Sequence, residues 1–204
     1  MKDGFIRVAA ATPDIHVADP QYNSEQIIEL MEQGSARGVK VMAFPELCLT
    51  AYTCSDLFLQ ESLLREAKKE LKRILQASKS KDMILFVGMP WMHKGKLYNV
   101  AAVLNRGRIL GIVPKKHLPN YSEFYELRHF NPGMEKVEMT DWEGVQVPMG
   151  MNLLFACRTM PELVLAAELC EDVWVPCPPS ISHALAGATV IAMKRQERTS
   201  IVIT

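Results

Sequence analysis

The alternation of short apolar segments with longer amphipathic segments is the feature that most constrains how this chain folds. Apolar segments of strand length occur at 5–11, 39–44, 83–87, 98–104, 108–113, 152–157, 163–169 and 188–192. Helices are predicted at 23–38, with Asn23 as the candidate N-cap, at 56–80 and at 181–186. Strands that alternate with helices, with a hairpin turn at 105–107, predict a layered α/β sandwich. We expect residues 116–144 to form a loop-rich wall of a pocket.

The segment LVLAAELCEDVWVPCPPS, at 163–180, places a reactive side chain at the end of a strand. Its apolar run is typical of a strand that is buried on both faces and ends at Cys170. Glu171 and Asp172 follow at once, and acidic residues suit a first helical turn, where backbone N–H groups point outward. A thiol at such a turn is a candidate nucleophile, because those dipoles stabilise its thiolate. A structural cysteine is the alternative interpretation, since free cysteine is often buried in protein cores.

Two further reactive side chains have the same position relative to an apolar strand. Glu46 and Lys115 each follow a strand that ends at a proline, as Cys170 follows its own strand. If these strands are neighbours in one sheet, their ends converge on one crevice. There Glu46 can accept the thiol proton, Lys115 can stabilise an oxyanion and Cys170 can form a thioester. Together the three groups predict the hydrolysis of an amide.

Each of these residues also has a simpler interpretation. Glu46 can be a solvated loop carboxylate, and Lys115 can form a surface basic pair with Lys116. A Cys–His dyad, with a histidine as the base, is a further alternative. The candidates for that base are His117, His129 and His183. The spacing of these histidines does not select one of them.

The composition argues against several classes of function. The chain has 204 residues and 23 basic and 23 acidic side chains, so its charge gives no reason to expect nucleic acid or an anionic membrane as a partner. No apolar run has the length of a membrane span or a secretory signal, and we expect a cytoplasmic protein. The five cysteines, an odd number, are expected to be reduced thiols. Their spacing fits no zinc site, and we find no glycine-rich phosphate loop, so no metal or cofactor is expected in this chain.

Three segments resemble the active-site segments of a known superfamily. They are FPELCLTAY at 44–52, PKKHLPNYSEFYELRHFNPG at 114–133 and LVLAAELCEDVWVPCPPS at 163–180. In this order they are similar to the nitrilase, or carbon–nitrogen hydrolase, superfamily. The runs LPNYSEFYE and CEDVWVP resemble, more narrowly, the glutaminase domain of glutamine-dependent NAD synthetases. The resemblance implies an α/β fold of the nitrilase type, an α-β-β-α sandwich.

The resemblance also implies roles for individual residues. The Glu–Lys–Cys triad of the superfamily falls on Glu46, Lys115 and Cys170, because the motif places its lysine two residues before a His-Leu pair. The second glutamate of the superfamily, which orients the lysine, falls on Glu126. A carboxylate beside a buried ammonium offsets the desolvation of that ammonium. The resemblance therefore implies catalytic roles for Glu46, Lys115 and Cys170, which follow strand ends, and for Glu126.

The substrate that the resemblance implies is glutamine. The glutamine-binding positions of the family fall on Tyr121 and Glu171, and the Glu171 carboxylate suits the α-ammonium group of the substrate. The released ammonia would serve NAD synthesis from deamido-NAD in a separate synthetase domain, which uses ATP and Mg and is expected to be absent from this chain. We also expect a homo-oligomer.

The end of the sequence departs from the family pattern. After the strand at 188–192 the family has a serine-rich turn and an arginine that helps to bind glutamine, whereas this chain reads MKRQERTSIVIT. We therefore expect a truncated hydrolase domain at 1–192, with a sandwich incomplete at its C-terminus, and a divergent tail at 193–204. The alternatives are a stand-alone amidase or nitrilase, and an inactive remnant that serves as an interaction module.

Overall fold

The computed structural model describes residues 4–194 and 202–203, and it shows an α/β fold. The helices are α1, Pro20–Ala36; α2, Glu61–Ser78; α3, Glu126–His129; and α4, Pro179–Leu185. The strands are β1, Arg7–Ala10; β2, Val39–Ala43; β3, Ile84–His93; β4, Lys96–Asn105; β5, Arg108–Pro114; β6, Glu138–Trp142; β7, Val145–Met149; β8, Phe155–Ala156; β9, Val164–Leu169; β10, Val190–Lys194; and β11, Val202–Ile203. There are also 3-10 turns at Tyr52–Leu59 and Cys170–Val173. Among the described residues, no helix combines the length and the apolar character needed to cross a membrane.

The strands form two sheets. Within the part of the chain that the structure describes, the larger sheet has eight strands in the order β11-β1-β2-β3-β4-β5-β7-β6, and the smaller sheet has three in the order β10-β9-β8. Strands β1, β2 and β3 are parallel, whereas β3, β4 and β5 form an antiparallel meander that includes the predicted hairpin. Strands β9 and β10 are parallel. The predicted α/β class is therefore confirmed.

The larger sheet is covered on both faces. One face packs against α1 and α2, in a core that includes Ile27, Met31, Leu71, Ile74 and Val87. The other face packs against the smaller sheet, in a core that includes Phe86, Val103, Leu165 and Leu169. Phe86 and Val87 are neighbours in β3 and enter different cores, because side chains alternate along a strand. Helix α4 lies beside β9, so the layers follow the helix–sheet–sheet–helix order of the predicted sandwich.

Helix α1 begins before the predicted N-cap. The cap is Asp19, whose side chain accepts a hydrogen bond from a backbone N–H, and Pro20 occupies the first turn. Proline suits this position because an N–H there would have no partner within the helix. The prediction of Asn23 as the cap is wrong, since Asn23 is buried within the helix and donates to the carbonyl groups of His16 and Leu49. Asn23 therefore ties α1 to two loops.

Residues 116–144 are mostly loop, as predicted, but they also contain two regular elements that were not predicted. This segment contains α3 and strand β6, which pairs with β7 across a tight turn. Glu143 and Gly144 form that turn with φ angles of 49° and 84°. Strand β6 lies at the edge of the larger sheet, and its sequence EMTDW mixes polar and apolar residues as edge strands do. The absence of a continuous apolar run explains why the strand was missed.

Several predicted bounds also differ from the structure. The 3-10 turn at Tyr52–Leu59 occupies the predicted start of the long helix, so α2 begins only at Glu61. Strand β3 continues past the predicted end at 87 and through Pro90, which lies opposite Asn99 of β4. Strand β8 has two residues where six were predicted, and α4 begins two residues earlier than predicted.

The C-terminal strand is shifted relative to the prediction. Strand β10 extends to Lys194 rather than ending at 192, and Lys194 lies opposite Leu169 of β9. Two residues of the predicted tail at 193–204 thus belong to the smaller sheet, and β11 pairs antiparallel with β1. The remaining tail residues, 195–201 and 204, lie outside the described residues. The division into a domain at 1–192 and a divergent tail stays a prediction.

Candidate active site

Glu46 lies in a loop that packs closely on the larger sheet. The loop follows β2, and the N–H of Leu49 donates to the carbonyl of Gly88 in β3 at 3.1 Å. A Cβ atom at Gly88 would lie 2.4 Å from the backbone N of Leu47 and 2.4 Å from the carbonyl oxygen of Pro45. Only glycine therefore permits this approach, which holds Glu46 over the sheet with its side chain buried.

Lys115 is the centre of a buried ion cluster. Its Nζ lies 2.7 Å from Glu46 Oε1 and 2.6 Å from Glu126 Oε1, and the lysine is fully buried. Burial lowers the pKa of Lys115, but the charges and hydrogen bonds of the two carboxylates outweigh burial and bring the pKa above its usual value. Lys115 is therefore an ammonium at neutral pH. The alternatives of a solvated Glu46 and a surface basic pair are wrong.

Glu126 begins α3 and is held from two sides. Its Oε1 accepts a hydrogen bond of 2.7 Å from the Tyr52 hydroxyl, in addition to the bond from Lys115. Burial raises the pKa of Glu126, and the charge of Glu46 raises it further, against the opposing effect of Lys115. Two carboxylates thus share one ammonium in a site from which water is largely excluded.

Asn99 is a member of this cluster that the sequence analysis missed. Its Nδ2 donates to Glu46 Oε1 at 2.5 Å and lies 3.4 Å from Glu126 Oε2, and its backbone carbonyl accepts from the N–H of Lys115. Asn99 is buried within β4, and its side-chain amide lies close to both carboxylates. A polar residue within the apolar run LYNVAAVL was the signal that could have identified it.

Cys170 starts the 3-10 turn that follows β9, as the sequence predicted. Its φ of 44° lies in the left-handed region, which is uncommon for a residue with a side chain and is often found at functional sites. The Asp172 carboxylate accepts hydrogen bonds from the backbone N–H groups of Lys116 and His117, directly after Lys115. Hydrogen bonds thus join the turn that carries Cys170 to the segment that follows Lys115.

The pKa of Tyr52 also indicates where the thiol lies. Burial raises this pKa most, followed by the charge of Glu126, and a thiolate at Cys170 raises it further. The electrostatic effect of Cys170 thus reaches Tyr52, whose hydroxyl donates to Glu126 of the buried ion cluster.

The strand ends do not meet as the sequence analysis assumed. Glu46 and Lys115 follow β2 and β5, which are separated by β3 and β4, and Cys170 follows β9 of the other sheet. The candidate site therefore lies where the two sheets meet, rather than along one edge of one sheet. The intervening strands supply Gly88 and Asn99.

The predicted substrate residues contact each other. The Tyr121 hydroxyl donates to Glu171 Oε2 at 2.9 Å, and Tyr121 is exposed. That hydrogen bond, followed by burial, raises the pKa of Tyr121, and a thiolate at Cys170 contributes to the same effect. Tyr121 and Glu171 are therefore bonded to each other beside the turn that carries Cys170, and their role in substrate binding stays a prediction.

Comparison with known proteins identifies the family. The sequence profile of the carbon–nitrogen hydrolases matches residues 7–201. The chain belongs to the carbon–nitrogen hydrolase family. It is 41% identical over 189 residues to the glutamine-dependent NAD(+) synthetase of Mycobacterium tuberculosis, and that alignment covers 93% of this chain and 28% of the relative. For the synthetase of Aquifex aeolicus the identity is 33% over 187 residues, with 92% and 29% covered. This carbon–nitrogen hydrolase thus spans less than a third of the length of these relatives.

Solved structures share the fold of this carbon–nitrogen hydrolase. A glutamine-dependent NAD(+) synthetase from Cytophaga hutchinsonii superposes with a TM-score of 0.83 at 24% identity, over 96% of this chain and 31% of the other. An amidase from Nesterenkonia sp. superposes with a TM-score of 0.68 at 20% identity, over 92% of this chain and 64% of the other. These similarities confirm the predicted nitrilase-like fold.

The environments of two other cysteines and of two histidines do not suit a nucleophile or its base. Burial raises the pKa of the Cys48 and Cys54 thiols, so both stay protonated in the core. Two of the histidines considered for a dyad are engaged elsewhere, since His129 bonds Asp56 and His183 bonds a backbone carbonyl. Cys170, which begins the 3-10 turn after β9, is therefore a better nucleophile candidate than Cys48 or Cys54.

Proposed function

We propose that this chain hydrolyses the side-chain amide of glutamine through a thioester on Cys170. One observation carries the proposal: a buried ammonium, Lys115, is held by two carboxylates next to the turn that bears the thiol. The names of the relatives support glutamine as the substrate. The roles of the individual residues follow from the chemistry of the groups.

The first half of the reaction forms the thioester. Glu46 accepts the thiol proton, and the Cys170 sulfur attacks the amide carbon, so that the carbonyl electron pair moves onto oxygen. The Lys115 ammonium and the backbone N–H groups of the turn stabilise that oxyanion. As the tetrahedral intermediate collapses, the C–N bond breaks and Glu46 returns the proton to the leaving nitrogen, which departs as ammonia.

The second half releases glutamate. A water molecule attacks the thioester carbon while Glu46 accepts one of its protons. The C–S bond then breaks, the sulfur takes the proton back from Glu46, and the acid product leaves. Throughout this cycle Glu126 keeps Lys115 charged and correctly placed, since its carboxylate bonds the same ammonium.

Tyr121 and Glu171 are suited to hold the amino-acid end of glutamine. The Glu171 carboxylate is paired with the Tyr121 hydroxyl and is available to an incoming α-ammonium group. The ammonia would be used to convert deamido-NAD to NAD in a synthetase domain that binds ATP and Mg. That pathway, a homo-oligomer and a cytoplasmic location are parts of the same proposal.

Intact-mass spectrometry of the protein mixed with glutamine tests this function. We expect a glutamyl adduct on Cys170 and release of ammonia, both abolished in Cys170→Ala and retained in Cys48→Ala and Cys157→Ala. Adducts from simple aliphatic amides but not from glutamine would favour a stand-alone amidase instead. The absence of any adduct from the wild-type chain would contradict catalysis and favour the interaction module.

A further inference from the structure

Asp172 joins two segments of the candidate site that come from different sheets. Its Oδ1 accepts hydrogen bonds from the N–H groups of His117 at 2.7 Å and Lys116 at 3.2 Å. Its Oδ2 accepts from Lys116 at 3.3 Å and from the N–H of Leu169 at 3.4 Å. The residue is 2% exposed, so these backbone groups have no competition from solvent.

The donors flank the two reactive side chains. Lys116 and His117 directly follow Lys115, whereas Leu169 directly precedes Cys170. Lys115 follows a strand of the larger sheet, and Cys170 follows a strand of the smaller one. The Asp172 carboxylate therefore accepts hydrogen bonds from two segments of the chain, one from each side of the junction between the sheets. Each donor lies within two residues of a reactive side chain.

We propose that Asp172 is a positioning residue that sets the Cys170 thiol relative to the Lys115 ammonium, and that it does so only as a carboxylate. The inference rests on the proposed glutaminase function for its kinetic consequence. A displacement of about 1 Å between reacting groups reduces rates by about a hundredfold. Fixing the two chain segments to each other prevents such a displacement.

The ionised form is required because all the partners of Asp172 are donors. A carboxylate accepts hydrogen bonds at both oxygens. A protonated carboxyl group has an O–H at one oxygen, and this O–H would face a backbone N–H, so that hydrogen bond would be lost. Burial raises the pKa of Asp172 to about 6, although the three backbone N–H groups and the charge of Lys115 lower it. The other charged or titratable groups beside it are Lys116, His117 and Glu171. Because this pKa is higher in the folded chain than in the unfolded chain, keeping Asp172 ionised at neutral pH lowers the stability of the fold. Such a loss of stability is often found at functional sites.

The test compares Asp172→Asn and Asp172→Ala with a control, Asp141→Asn. Asp141 also accepts a hydrogen bond from a backbone N–H, but it is exposed in the β6–β7 hairpin. At about pH 8 we expect the rate of glutamyl adduct formation to fall about tenfold in Asp172→Asn and about a hundredfold in Asp172→Ala. The KM for glutamine should change by less than about threefold, and the control should match the wild type.

Two further readouts distinguish positioning from general stability. Hydrogen exchange at the amides of Lys116, His117 and Leu169 should accelerate in both Asp172 variants, with little change elsewhere. The ratio of the wild-type rate to the Asp172→Asn rate should shrink toward one as the pH falls below about 6, since wild-type Asp172 is then protonated. Wild-type adduct formation in Asp172→Asn, despite faster exchange at these amides, would overturn the proposal.

A failure of the proposed function would be recognised separately. If the wild-type chain forms no adduct with glutamine, alkylation of Cys170 by iodoacetamide replaces adduct formation as the rate measured. We then expect the wild type and Asp172→Asn to differ about tenfold above pH 6 and to converge below it. Equal alkylation rates at all pH values would refute the positioning role.

Discussion

Two fully buried lysines should respond in opposite ways to the same substitution. Lys115 contacts two carboxylates, whereas Lys194 Nζ has no hydrogen-bond partner among the described residues. Burial lowers the pKa of Lys194 to about 8, and the negative charge of Glu46 opposes this only in part. Replacing Lys194 with methionine removes a buried charge that the described residues compensate only in part, so Lys194→Met should stabilise the fold.

The size of this effect follows from the pKa difference between the unfolded and folded chains. A lysine that titrates at 10.5 when unfolded and at about 8 when folded binds its proton more weakly in the fold. At ~1.4 kcal/mol per pH unit, this difference costs on the order of 3 kcal/mol of stability below pH 8. The unfolded chain holds more protons between pH 8 and 10.5, so the stability of the wild type should rise across that interval. The advantage of Lys194→Met should therefore be largest near pH 7 and nearly absent near pH 11.

Lys115→Met should do the reverse. It leaves Glu46 and Glu126 as neighbouring buried carboxylates without a counter-charge, and removal of one partner from such a cluster costs about 3–5 kcal/mol. Urea unfolding of both variants and the wild type, at about pH 7 and about pH 10, measures these differences. A less stable Lys194→Met at pH 7, or an equal gain at both pH values, would show that Lys194 does not bear a destabilising buried charge.

Two other substitutions test how the cluster is held in place. Asn99→Ala should lower the unfolding free energy by about 1–3 kcal/mol and should reduce kcat while KM changes little, because both carboxylates lose a donor. Urea unfolding measures the first effect, and steady-state ammonia release measures the second. An unchanged kcat would contradict the assigned contact. Gly88→Ala should displace the Glu46 loop, because the added Cβ meets backbone atoms at 2.4 Å. The variant should still fold but should form no glutamyl adduct. Normal adduct formation would show that the loop adapts.

The sequence predicted the residues whose positions follow from local pattern. Glu46 and Lys115 could be identified because a proline ends each preceding strand and a charged side chain comes next. Cys170 could be identified because an apolar strand ends there and two acidic residues follow. Lys115 contacts both Glu46 and Glu126 directly, whereas the roles that the family resemblance implied for these residues stay predictions.

The residues that were missed depend on which strands are neighbours. Asn99 lies in the middle of β4 and reaches the cluster only because β4 lies beside β5 in the larger sheet. Asp172 was interpreted as a residue of a helical turn, and its contact with Lys116 crosses between the sheets. Strand order and the packing of one sheet on another are not encoded in local periodicity. The apolar run around Asn99 could therefore mark it as unusual, but the contacts of Asn99 and Asp172 could not be predicted from the sequence.

The charge balance of the cluster explains why two carboxylates and one ammonium suit the proposed reaction. Before attack, Lys115 bonds two carboxylates, and when both are ionised the three groups carry a net charge of −1. When Glu46 takes the thiol proton it becomes neutral, and one negative charge moves to the oxygen of the tetrahedral intermediate. The total charge of the buried site is thus unchanged, and Lys115 can exchange its bond to Glu46 for one to the oxyanion. Glu126 then remains as the fixed partner of Lys115, so the lysine stays charged at the step where its charge matters most.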